Sequence, residues 1–320
     1  MPAALPHVTI CLRPPRRHAV LPVRTAVRRA CPAVLHQPQV AYSAHHTTAG
    51  FLDAEARAQT GPSEVAIRRF IAPYRTLFPY GASYQHDQMH LRTELRPEQR
   101  RCEPRNADAH LAYIGAGLVA CLQTEPDEPL ALVDMDGVNK ETGRHRTRRV
   151  TAVGFTEAHT VAGFEVTIPA PPHSVGATSL RDPRLGVIAR IHAALAEHAV
   201  HLGCVQLALT DDTDNAALVV NEYEKQLMRY DMAQVLRAPR YFQSKERVPA
   251  PASPTVEHHG TGVPAAEEPA LRLHDTVRLL VRPPADNGAS RLVQGRYQSP
   301  IVLHRTPRER TIRVTVMRYR

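Results

Sequence analysis

Residues 44–55 read AHHTTAGFLDAE, and residues 212–222 read DTDNAALVVNE. Glu55 stands nine residues after His46, and Glu222 stands nine residues after Thr213. Each stretch follows a strand-like run and ends in a glutamate, but only the earlier one keeps a histidine. A phrase repeated at long range within one chain points to an internal duplication, and that decides how the rest is read.

Working outward, the flanks repeat as well. Val8-Thr9-Ile10 is followed by the turn RPPRRH, and Val166-Thr167-Ile168 by PAPPH. A helical segment comes next in each half, over 24–34 and 185–199, where Val187, Ile188, Ile191, Ala194 and Leu195 recur at helical spacing. The strands QVAYSAHH and CVQLALTD lead into the repeated phrase. A second helix follows. In the first half it starts at the N-cap Ser63, with Ile67, Phe70, Ile71, Tyr74 and Phe78 on one face. In the second half it covers 223–236. Strand pairs close both halves: LALVDMDGV with RRVTAVGF, and RLVQGRYQSPIVL with RTIRVTVMRYR. The expectation is two homologous α+β domains over 1–154 and 164–320. A linker covers 155–163, and a long Pro/Ala-rich loop covers 248–270.

Composition bounds the function. The 320 residues are 43% hydrophobic and 22% charged, an ordinary globular balance, with no apolar run near the roughly 18 residues of a membrane span. Five cysteines without CxxC spacing fit a reducing compartment, so a cytoplasmic location is expected. The net charge of +9 is scattered, and aromatics are only 5%, which argues against a nucleic-acid surface. No acidic residue precedes Asp53 while several arginines do, so mitochondrial targeting is the alternative; the strand-like VTICL argues against it.

The histidines carry the chemistry. On a strand, neighbouring side chains face opposite ways, so His45 and His46 cannot both enter one site; His46 shares a face with Tyr42 and Ala44. His86 and His90 in YQHDQMH and His110 in NADAH stand downstream. Three imidazoles from three segments would form a divalent-metal site with an open position, zinc being the usual occupant, and Asp87, Asp108 and Asn106 could orient the ligands. With 18 histidines in the chain, chance clustering is the competing explanation. HDQMH mimics the HExxH of zinc proteases but has Asp for Glu and no convincing helix start.

In their order, HHTTAGFLDAE, YQHD, NADAHL and the terminal strand pair resemble the YjbQ family, whose members are about one repeat long. The resemblance implies an α+β fold in which a curled antiparallel sheet carries helices on its outer face, here as two tandem copies, and homo-oligomers that are usually trimers. It implies a metal-dependent activity like that of a secondary thiamine-phosphate synthase, acting on phosphorylated small molecules. The alternative is a non-catalytic metal- or ligand-binding protein. The family's histidines fall on His46, His86 and His110, its glutamate on Glu55 and its amide on Asn106. Its glutamine strand is intact only in the second copy, as Gly295-Arg296-Tyr297-Gln298, and VDMDG is read as its first-copy counterpart. The expectation is a composite site: His46, His86 and His110 bind the metal, Glu55 and Asn106 assist, and Arg296 and Gln298 arrive from the other copy.

Overall fold

The computed structural model describes residues 4–211, 213–245, 270–282 and 291–320. The first half contributes strands β1 (His7–Leu12), β2 (Ala19–Leu21), β3 (Gln39–Ala44), β4 (Ala49–Phe51), β5 (Cys121–Thr124), β6 (Leu132–Asp134) and β7 (Arg148–Phe155). The second contributes β8 (Ala158–Ile168), β9 (Gly176–Ser179), β10 (Gly203–Leu209), β11 (Ala216–Glu222), β12 (Thr276–Arg282), β13 (Arg291–Leu292), β14 (Gln298–His304) and β15 (Arg310–Tyr319). The helices are α1 (Val23–Ala30), α2 (Ala54–Thr60), α3 (Glu64–Leu77), α4 (Pro97–Cys102), α5 (Ala107–Gly115), α6 (Val187–Glu197), α7 (Met232–Arg237) and α8 (Tyr241–Lys245). A π-helical turn, Gln226–Asp231, leads directly into α7.

The two halves are wired alike. One large sheet runs β1-β7-β3-β5 and the other β8-β15-β10-β12-β13; one small sheet runs β2-β6-β4 and the other β9-β14-β11. All the strand pairs are antiparallel. Register extends the comparison. Setting Glu55 against Glu222, as the repeated phrase does, sets Ala49 against Ala216 and, through their strand partners, Asp134 against His304.

Period-2 alternation sorts the core. On β11, Ala216, Leu218 and Val220 pack with α6 and the large sheet, whereas Ala217 and Val219 turn the other way. The outer faces of both small sheets share one core with α3, α5 and α7, so helices of both halves meet there. The large sheets also touch back to back, with Ala41, Cys121, Val153 and Phe155 against Cys204, Leu280 and Tyr319. Phe155 and Tyr319 stack with ring centroids 3.9 Å apart.

Two sequence expectations change. The linker expected over 155–163 is mostly strand: β8 begins at Ala158 and pairs with β15 along its length. On the alignment that sets Asp134 against His304, VDMDG does not match GRYQ: Gln298, six residues before His304, falls on Glu128, six before Asp134. The loop expected over 248–270 lies outside the described residues except for Ala270.

Candidate functional site

Helix α5, strand β11 and the connection between α3 and α4 bring three side chains together from opposite halves. His86, His110 and Glu222 offer ligand atoms that all lie within 4.8 Å of one another. His110 Nε2 is 3.6 Å from Glu222 Oε2, and the two imidazole centroids are 5.4 Å apart.

Each histidine is fixed through its other nitrogen. Asn221 donates its amide N–H to the carbonyl of Thr47 at 2.8 Å, so its Oδ1 turns to His110 and accepts from Nδ1–H at 2.8 Å. Asn221 Oδ1 also accepts from the backbone N–H of Glu222. His86 Nδ1 donates to Asp87 Oδ1 at 3.0 Å, and Asp87 also accepts from Ala107 N. Asp231, at the end of the π-helical turn, accepts from the backbone N–H groups of Gln85 and His86. With both Nδ1 atoms donating, both Nε2 atoms present lone pairs. His86 Nε2 is buried with no hydrogen-bond partner among the described residues.

Electrostatics agree with that assignment. Burial, then Arg92, lowers the His86 pKa to about 4, and burial, then His86, lowers that of His110 to about 3. Both rings are therefore neutral near pH 7. Burial raises Glu222 to about 7, against the opposing pull of Arg92, whose guanidinium lies 3.7 Å away. Arg92 also pairs with Glu94 and lies 3.6 Å from Glu224. Two imidazole nitrogens and a carboxylate oxygen suit a divalent transition metal with an open position, zinc foremost.

The other expected residues sit elsewhere. His46 is not in the cluster: β3 ends at Ala44, so strand alternation no longer governs it, and its Nε2 accepts from the backbone N–H of Arg149 at 2.8 Å. His45 Nε2 bonds Thr151 Oγ1. Glu55 lies in the first turn of α2, its side chain 71% exposed and paired with Arg272. Asn106 donates to Asp136, which also pairs with Arg17 and Arg146, while Asp134 holds Arg148 through both oxygens. VDMDG thus anchors arginines and the start of α5. Arg296 is exposed against the exposed Tyr297 ring.

Gln298 does cross between halves. Its amide donates to the carbonyls of Ala44 and His46 at 2.9 and 2.8 Å, and its Oε1 accepts from Gly295 N. Gly295 packs so closely on His45 that a Cβ would collide with the His45 carbonyl. Gln298 is the register partner of Glu222. Glu222 and Asn221 are the residues that sequence reasoning passed over; the signal was the glutamate kept in the histidine-free phrase.

No protein-family model and no curated protein matches the chain. Solved structures do. A YbjQ-like protein of unknown function from Sulfolobus solfataricus aligns with 51% of this chain and 99% of its own, at 15% identity and a TM-score of 0.31. A hypothetical protein from Aeropyrum pernix aligns over 49% and 99%, at 15% identity and 0.31. An uncharacterized protein of the YjbQ family from Clostridium acetobutylicum aligns over 46% and 98%, at 14% identity and 0.30. The structural neighbours are YjbQ-like proteins. No helix among the described residues is long and apolar enough to cross a membrane.

Proposed function

We propose that the chain is a tandem pair of YjbQ-like units sharing one divalent-metal site, in which His86 and His110 of the first unit and Glu222 of the second hold zinc. The observation that carries this reading is the pair of Nε2 lone pairs, each fixed by a donating Nδ1, converging on one carboxylate. When bound, the metal supplies a Lewis acid with an open position for an oxygen ligand. Asn221 and Asp87 hold the imidazoles in the ligating tautomer, and Gln298 ties the chain leaving β3 to the second unit. The matching strand order of the two halves supports the duplication. Following the sequence resemblance, the activity assigned is transfer on a phosphorylated small molecule. Metal retention without turnover of any phosphorylated substrate would instead mark a non-catalytic metal-binding protein.

Elemental analysis of purified protein tests the site. About one metal per chain is expected for the wild type and for His46→Ala, and near none for His110→Ala and Glu222→Ala. Full metal content in both of the last two would refute it.

A further inference from the structure

The turn RPPRRH that opens the first half takes no part in the histidine site. Pro14 and Arg16 press on Gly137, where a Cβ would collide with them, and Gly137 N donates to the Arg17 carbonyl at 2.7 Å. The turn thereby delivers Arg17 and His18 to two adjoining cavities of about 330 and 200 Å³, both lined by Arg17, His18 and Arg75. Lys140 enters the smaller one from the loop after β6. The smaller cavity is walled by Asp108, Ala109 and Ala112 of α5, with Asp108 roughly 200° around the helix from His110.

The charge there is unbalanced. Arg17 is neutralised by Asp108 and Asp136, and Glu64 serves both Arg16 and Arg68. Glu141 pairs with Arg105. Arg75 and Lys140 enter no ion pair among the described residues. Lys140 Nζ instead sits 3.6 Å from the Tyr80 ring centroid, an attraction that holds a cation without cancelling its charge. Arg17 approaches the same ring at 4.9 Å. Burial, followed by Arg75, Arg17 and Lys140, lowers the His18 pKa to about 3, so the imidazole is a neutral partner ringed by cations. The larger cavity is floored by Val20, Ile67, Ile71 and Val133. The corresponding turn of the second half, PAPPH, brings no arginine.

We propose that this pocket binds a phosphomonoester, its phosphate between Arg75, Lys140 and His18 and its apolar body along Val20, Ile67 and Ile71. Several cations around one neutral donor suit a compact dianion better than a carboxylate. The site is independent of the metal reading. Titration calorimetry with phenyl phosphate, inorganic phosphate and benzoate tests it, on the protein as purified and again after chelation. Phenyl phosphate is expected to bind tightest, with or without chelation. Arg75→Ala and Lys140→Ala, both at exposed positions, are each expected to weaken it at least tenfold. Arg69→Ala, an exposed arginine outside the cavity lining, is the control and should match the wild type. Four outcomes would overturn the proposal: unchanged affinity in both pocket variants, equal loss in Arg69→Ala, benzoate binding as tightly as phenyl phosphate, or binding abolished by chelation.

Discussion

Glu55 and Glu222 stand at the same place in the repeated phrase, yet their surroundings differ completely. In the first half, the strand stops at Phe51, and Asp53 caps a helix by accepting from Ala56 N at 2.6 Å. Glu55 then lands in the first helical turn, where an acidic side chain favours the helix dipole, and faces solvent and Arg272. In the second half, the β-branched Val219 and Val220 carry the strand onward to Glu222, whose side chain is only 15% exposed and lies beside His110. A capped helix start in one half and a continued strand in the other separate a surface charge from a largely enclosed candidate ligand.

The sharpest way to break this contrast is to neutralise each glutamate in turn. Glu222→Gln is expected to lower metal affinity by at least the roughly 10–100-fold that loss of an outer-shell partner costs, whereas Glu55→Gln should leave it unchanged. Competition with a chromophoric chelator reads both, and equal effects would erase the distinction. Next in size is the seam between the halves. Gly295→Ala must push back the His45 carbonyl and is expected to cost about 1–3 kcal/mol of stability in urea unfolding, with weaker metal binding.

The comparison also extends to Asp134 and His304, which share a register position. Asp134 holds Arg148, while the buried His304 bonds Thr178 and is lowered to about 4 by burial, then by Arg310. The unfolded chain takes up this proton below about pH 6.5 and the folded chain does not until near pH 4, so stability falls as pH drops through that window. The loss from this residue is about 2 kcal/mol at pH 5. Relative to the wild type, His304→Asn should therefore be less destabilised at pH 5 than at pH 7.5, as read from urea midpoints at the two pH values. The smallest effect belongs to Asp53→Ala, which removes the cap and should cost about 1 kcal/mol without touching the metal site; thermal melting and metal content check it together.

Much of the framework was legible. Ser63 caps α3 as expected, accepting from Ala66 N, and the helices and terminal strands fall close to their periodic segments. What escaped reading depended on pairing across the chain. The short CLQT of β5 has too few residues to show a period, and the segment taken as a linker becomes strand because β15 lies beside it. The expectation for His46 rests on the YjbQ motif and on alternation extended past Ala44, whereas the chain bends through Thr47 and Thr48. His86 and His110 were found from composition and motif. Glu222 was not, because nothing local in VVNEYE says that a helix from the other half will bring an imidazole to it. The family pattern sets GRYQ against VDMDG, whereas the alignment carried by the repeated phrase and strand pairing sets Gln298 against Glu128.

The bridge built by Asn221 and Gln298 from one half to the carbonyls of Thr47, Ala44 and His46 in the other has a further consequence. A pocket completed by a separate polypeptide comes apart on dilution, at a concentration set by the dissociation constant. Here both walls belong to one covalent chain, so their effective concentration is fixed by the fold. Occupancy of the histidine–glutamate cluster should therefore depend on the amount of free metal and not on how much of the protein is present.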